Sequence, residues 1–324
     1  MTPRERINEY FNGSAFMTLC AVGLVAMALV ARVIGVQVPV VEGHGIFFSF
    51  KDLLIADGTL STTVNVLCLL MTGGILLAVN KIFTFVRSLT RLSASAFYLL
   101  ALAHPQGLAA FNVGTLMCLL AVLTLPLLFA AYQDRHSQRS IFLVFALAAT
   151  GCMFHYGFLV LIPAYLLGFL YMGVMNLKGV LAMLFGVVTP FWIVLGLGIA
   201  APADALAPQW LLTDLPSMTM LVILAASTAV LGIALALMNL HTIMNYRMQP
   251  RVYNAFLIVM LVFLVIGVVL DYRDIAVYLP LLSLLTAVQV AQVHTLRIFP
   301  YRYLFLLLFI AGCLGFSAAN LMLL

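Results

Sequence analysis

Charged side chains are scarce in this sequence. Of its 324 residues, 65% are apolar and 8% are charged, with 15 Lys and Arg against 10 Asp and Glu. A soluble fold covers its surface with roughly three times that charged fraction. The composition therefore excludes a soluble enzyme, a nucleic-acid-binding domain and a disordered chain. It predicts an integral membrane protein with many spans.

The sequence also lacks the motifs of common metal and cofactor chemistry. Its five cysteines lie singly in apolar runs, which indicates small buried side chains and no disulfide framework. It has no H-x-x-x-H or H-E-x-x-H pattern, no P-loop, no dinucleotide fingerprint and no G-x-S-x-G. We therefore expect no metal, no cofactor and no nucleic-acid partner.

Long apolar runs fill most of the chain. They are continuous and do not alternate, so they predict helices and not a barrel. We expect an all-α transmembrane helix bundle of about eleven spans, which forms one integral-membrane domain over residues 1–324. The third and fifth segments are the shortest. The predicted spans are 14–35, 61–80, 89–104, 108–132, 140–155, 158–176, 179–200, 218–240, 252–270, 275–293 and 303–323.

The placement of basic residues orients this bundle. With the N-terminus in the cytoplasm, twelve of the fifteen basic residues fall inside and only Arg32, Lys51 and Arg273 fall outside. Such a bias is typical of the cytoplasmic side of a membrane, and it puts the C-terminus outside. The inside residues are Arg4, Arg6, Lys81, Arg87, Arg91, Arg135, Arg139, Lys178, Arg247, Arg251, Arg297 and Arg302.

Two segments leave the number of spans open. Residues 140–176 could form one kinked helix, which would reverse the charge bias of the second half. Two spans joined by a tight turn at residues 155–157 preserve it. A re-entrant pair over residues 89–132 would instead give nine spans.

The first outer loop, residues 36–60, is the most informative non-spanning segment. It contains His44 in a flexible turn, followed by an aromatic stretch over residues 46–55 that favours a helix lying in the membrane interface. Such a helix would hold the carboxylates of Glu42, Asp52 and Asp57 near the outer headgroups. The alternative is an ordinary connector with solvated charges.

Polar residues inside the spans are few. Arg32 could reach the interface from its helix end or hold a lipid phosphate. Gln289 and Gln292 share one helix face and predict hydrogen bonds between helices. His155 lies at a predicted outer helix end, where it is either a hydrogen-bonded structural residue or a substrate contact.

The middle of the chain resembles known families. It is similar to an uncharacterised family of bacterial polytopic inner-membrane proteins, and more distantly to multi-spanning glycosyltransferases and polysaccharide polymerases that use polyprenyl-linked sugars. The likeness covers roughly residues 60–200 and is carried by the segments 78–83, 91–105, 111–114, 131–139, 154–157, 162–163 and 186–191.

The resemblance implies a role in envelope glycan assembly. Those glycosyltransferases place an acidic residue in the first outer loop, which implies Asp52, Glu42 or Asp57 as the catalytic carboxylate. Arg32, His44, Lys51 and His155 would then contact a polyprenyl-phosphate-linked sugar or another membrane lipid. A transporter or flippase and a non-catalytic scaffold subunit are the alternative hypotheses.

Overall fold

A computed structural model describes residues 10–36, 43–49, 58–86, 90–134, 136–206, 219–244, 247–295 and 302–322. Over these ranges the chain is an all-α bundle that contains no β-strand. The helices are α1 (Ser14–Ile34), α2 (Gly58–Phe83), α3 (Leu92–Leu102), α4 (Pro105–Leu108), α5 (Val113–Ala130), α6 (Gln138–Phe154), α7 (Leu161–Tyr171), α8 (Leu177–Gly196), α9 (Thr219–Ile243), α10 (Met248–Leu270), α11 (Ile275–Thr295) and α12 (Arg302–Met322).

Eight of the described helices are long and apolar enough to cross a membrane. Three further apolar elements are shorter: α3, α6, and α7 together with the 3-10 turn Tyr156–Val160 that precedes it. Each of the eleven predicted segments therefore overlaps a described helix. The three shorter elements fall in the predicted segments 89–104, 140–155 and 158–176.

The outer surface of the bundle is apolar. Val33 of α1, Trp192 of α8 and Leu308 of α12 are 86%, 74% and 64% exposed. A soluble protein rarely exposes such continuous apolar surface, whereas hydrocarbon covers it without cost. The fold thus indicates a multi-pass membrane protein.

Polar side chains define several helix ends. The Asn112 side chain accepts a hydrogen bond from the Thr115 amide at 2.8 Å and caps α5, and Asn176 caps α8 through the Gly179 amide in the same way. Both provide an acceptor for one of the amides that a helix start leaves unpaired.

The element at 92–108 is a broken helix. Pro105 has no amide hydrogen, and α3 ends before it while α4 begins at it. Side chains of α2 pair the irregular backbone that follows. Asn65 donates to the Gly107 carbonyl at 2.8 Å, and the Ser61 hydroxyl accepts from the Phe111 amide at 2.9 Å. This pairing allows irregular backbone to lie inside an apolar bundle.

Helix α11 forms the centre of the bundle. Buried residues make up 94% of an 18-residue apolar stretch within Tyr272–Thr295, the span that contains α11. The corresponding stretch of α8 is 17% buried. The polar side chains of α11 pair with neighbouring helices, as predicted for Gln289 and Gln292. Asn239 of α9 donates to the Gln289 side chain at 2.9 Å, and Gln292 donates to Asn254 of α10. These amide pairs fix the register of three helices in an otherwise apolar interior.

Candidate functional site

The candidate site lies where the turn after α6 meets the junction between α10 and α11. His155 Nε2 is 3.1 Å from Asp274 Oδ2, and the two side chains are 1% and 5% exposed. The two side chains form a buried contact between a histidine and a carboxyl group. Ionisable groups are costly in an apolar bundle, and they are retained there mostly in pairs that serve a function.

Local structure fixes the orientation of the His155 ring. Helix α6 ends at Phe154, and His155 adopts an extended conformation before the 3-10 turn begins at Tyr156. Its Nδ1 accepts a hydrogen bond from the Gly157 amide at 2.9 Å. Because Nδ1 is an acceptor, the ring proton of the neutral form lies on Nε2 and is donated to Asp274.

A second carboxylate lies beside this pair. Tyr278, a buried residue of α11, donates its hydroxyl hydrogen to Asp271 Oδ2 at 2.9 Å. Burial raises the pKa of the Asp271 carboxyl above its ordinary value of 3.8, and the charge of Asp274 raises it further. The Tyr278 hydrogen bond and His155 act in the opposite direction. The site therefore holds two carboxylates in different states of hydrogen bonding.

The segment Gly43–Ser49, which we name the cover segment, lies over the pair. A Cβ atom added to Gly43 would be 2.1 Å from Asp274 Oδ2 and 2.4 Å from His155 Nε2. Only a residue without a side chain fits there. The backbone of the segment thus touches both members of the pair and closes the site.

Hydrogen bonds attach the cover segment to the end of α6. The amides of Ile46 and Phe48 donate to the carbonyls of Cys152 and Met153, both at 3.1 Å. These carbonyls belong to the last turn of α6, where no helical amide is available to pair them. The Tyr156 amide donates to the His44 carbonyl at 3.1 Å. The segment and the helix end therefore provide hydrogen-bond partners for each other's backbone groups.

Another loop completes this end of the bundle. The Leu206 amide donates to the Ile46 carbonyl at 2.9 Å, and the Tyr156 hydroxyl donates to the Leu206 carbonyl. The chain after α8 is thus hydrogen-bonded both to the cover segment and to Tyr156.

The structure brings two of the predicted site residues together. His44 stacks edge-on against Tyr156 with ring centroids 5.8 Å apart, directly beside His155. Arg32 instead donates to the Thr59 hydroxyl at 2.5 Å. Lys51 and the candidate carboxylates Glu42, Asp52 and Asp57 lie outside the described residues.

The predicted interfacial helix is wrong for its first part. Residues 46–49 are not helical, because their amides pair with the end of α6 and not with one another. Residues 50–55 lie outside the described ranges.

Sequence reasoning did not identify Asp271, Asp274 or Tyr278 as site residues. The available signal was the run Asp271–Asp274 between two long spans, since two acids so close to a span boundary are unusual in a chain with ten.

The arrangement can exchange protons. A carboxylate hydrogen-bonded to a histidine can accept a proton from a bound hydroxyl group, and a second carboxyl group with a raised pKa can supply one.

In the described part of the chain, no three His, Cys, Asp or Glu side chains cluster as metal ligands. Comparison with known protein families, curated proteins and solved structures found no match.

We predict that Gly43→Ala opens the site. The added methyl group overlaps Asp274 and His155, so the cover segment must move, which costs about 1–3 kcal/mol of stability. Thermal unfolding in detergent measures this loss. Gly58→Ala is the control, because a Cβ there meets nothing within 4 Å. Equal unfolding temperatures for the two variants would contradict the geometry.

We predict that Asp271→Asn stabilises the protein at neutral pH. A carboxyl with a raised pKa stabilises the fold while it is protonated, at low pH, and that contribution is lost as the pH rises through its pKa in the folded state. The asparagine is uncharged and still accepts from Tyr278. Unfolding temperatures measured from pH 4 to 8 should show an advantage for the variant that grows with pH. An advantage confined to low pH would refute this assignment.

Proposed function

We propose that the protein transfers a sugar from a polyprenyl-phosphate carrier during assembly of an envelope glycan in a bacterial inner membrane. The observation that carries this proposal is the buried His155–Asp274 pair beneath the first loop. In an apolar bundle, a paired acid and base at one helix end are best explained by proton-transfer chemistry at that end.

The chemistry requires one base and one site for phosphate. An acceptor hydroxyl oxygen attacks the anomeric carbon of the donor sugar, the bond from that carbon to the phosphate oxygen breaks, and the phosphate leaves with the electron pair. The hydroxyl proton passes to the carboxylate of Asp274, whose charge His155 supports. A cation such as Arg32 or Lys51 would bind the departing phosphate.

The cover segment gives this reaction a closed state. With Gly43 against both side chains, the pair is shielded from water, so the segment must move to admit an acceptor. Glu42 precedes Gly43 in the sequence and remains a candidate base, as do Asp52 and Asp57. Movement of the segment would open the pair to substrate.

The proposal includes a topology of eleven spans with the N-terminus in the cytoplasm and the C-terminus outside. The distribution of contacts supports it. Thr90 bonds to Asn12, and the Tyr253 hydroxyl donates to the Phe129 carbonyl at 3.0 Å, at the end where the basic residues cluster. The His155 site and the cover segment form contacts at the opposite end.

A transporter is the second candidate, and the break between α3 and α4 favours it. Discontinuous helices often form transport sites. His104 and Gln106 at this break are 6% and 8% exposed, and His104 Nε2 and Gln106 Oε1 have no hydrogen-bond partner. Under this hypothesis His104 would be essential and Asp274 would not.

The topology predicts which loops reach each side. In a cysteine-free background, cysteines at positions 178 and 251 should react with an impermeant maleimide only after the membrane is opened. A cysteine at position 204 should react in intact cells. Reaction of positions 178 and 251 in intact cells would reject the eleven-span arrangement, because a single kinked helix over residues 140–176 puts both positions outside.

We predict that Asp274→Asn and His155→Gln each lower glycan synthesis at least a hundredfold, the scale of lost acid–base catalysis. The measurement is mass-spectrometric analysis of envelope glycans in the native host, compared with a gene deletion. Asp204→Asn, an exposed acid at the same end, is the matched control. Unfolding temperatures of the purified variants establish that they fold.

The same experiment separates the two functions. Normal glycans in a folded Asp274→Asn variant would refute the glycosyl-transfer proposal. If His104→Gln then reproduces the phenotype that the deletion shows, the transporter is supported instead.

A further inference from the structure

An apolar groove lies between α9 and α12 and is closed at its back by the end of α3. Its volume is about 270 Å³. Leu231 of α9, Phe305 and Phe316 of α12 and Ala103 after α3 are among its lining residues. Such a lining offers almost nothing to a polar ligand but matches a hydrocarbon chain.

The shape of the groove indicates one extended chain. It follows α12 from Phe305 to Phe316, which at 1.5 Å per residue is a length of about 17 Å. The hydrocarbon layer of one leaflet is about 15 Å thick. The groove therefore has the length of a lipid chain that runs from the membrane surface towards the midplane.

Gly312 keeps the groove open. This residue lines the groove, and a Cβ added to it would meet nothing within 4 Å. A large side chain at this position would fill the space that the chain requires. Gly315, one turn further along α12, is equally open but is not part of the lining.

A cation lies one helical turn before the first residue of α12 that lines the groove. Arg302 begins α12, one turn before Phe305, and its guanidinium carbon lies 4.9 Å from the centroid of the Tyr303 ring. Arg302 Nη2 donates to the Tyr303 hydroxyl at 2.9 Å. No acid in the described ranges lies within ion-pair distance of Arg302. The tyrosine thus orients the guanidinium, which keeps donors available for a phosphate.

We propose that this groove and Arg302 form a binding site for one anionic phospholipid. The phosphate of the lipid bonds to Arg302, and one acyl chain occupies the groove along α12. Charge and chain length both match, because the cation stands at the end of an apolar channel that is one leaflet deep. The site is separate from His155 and does not depend on the proposed glycosyl transfer.

The test uses phosphatidylglycerol that carries a photoactivatable diazirine on one acyl chain, in nanodiscs of phosphatidylcholine. After irradiation, mass spectrometry maps the labelled residues. We expect labelling along the groove. Gly312→Phe should lower it more than fivefold, whereas Gly315→Phe should leave it unchanged. Arg302→Gln should lower the labelling about fivefold, which is the loss of affinity expected when one cation near the membrane surface is removed. Equal unfolding temperatures establish that the variants fold.

Three further measurements distinguish between the possible occupants of the groove. The same diazirine on phosphatidylcholine should label the groove less than the anionic probe, and equal labelling would reduce the site to ordinary lipid contact and overturn the proposal. Displacement of the probe by an equal amount of polyprenyl phosphate would assign the groove to that lipid and also overturn it. Crosslinks between two copies that Gly312→Phe abolishes would show a dimer interface instead.

Discussion

The hydrogen bond between His155 and Asp274 sets the geometry of one end of the bundle. It joins residues 119 positions apart and ties the turn after α6 to the start of the central helix. Gly43 fits against the pair because the two side chains leave room for backbone alone. The cover segment, the last carbonyls of α6 and the loop at Leu206 all take their positions from this arrangement. Removing either partner would leave a buried polar group unpaired in an apolar interior, which is costly.

Backbone pairing explains the irregular parts of the fold equally well. Three side chains of α2, Ser61, Thr62 and Asn65, bond to backbone atoms of residues 107–111, in α4 and in the segment before α5. The amide side chains of Gln289 and Gln292 on α11 likewise bond to amide side chains of α9 and α10. In an apolar environment an unpaired polar group is costly, so these few residues fix helix registers that dispersion forces alone would leave undetermined.

The sequence allowed the helical segments to be located, because a spanning helix requires a continuous apolar run whatever its neighbours are. It also allowed Gln289 and Gln292 to be interpreted as contacts between helices. It did not reveal the pairing of His155 with Asp274, since no local period links residues on different helices. The aromatic run after Ile46 suggested a helix, but its amides pair with α6 instead. Composition could not show that the carbonyls at the end of α6 compete for these amides, because this competition depends on where α6 ends.

The shortness of α6 has a consequence for the surrounding bilayer. At 17 residues it extends about 25 Å, less than the roughly 30 Å of a typical hydrocarbon core, whereas the 26-residue α2 extends about 39 Å. In the proposed topology, lipids beside α6 and α7 must compress while those beside α2 need not. The protein would then deform its membrane unequally around its circumference and favour thin bilayers over thick ones.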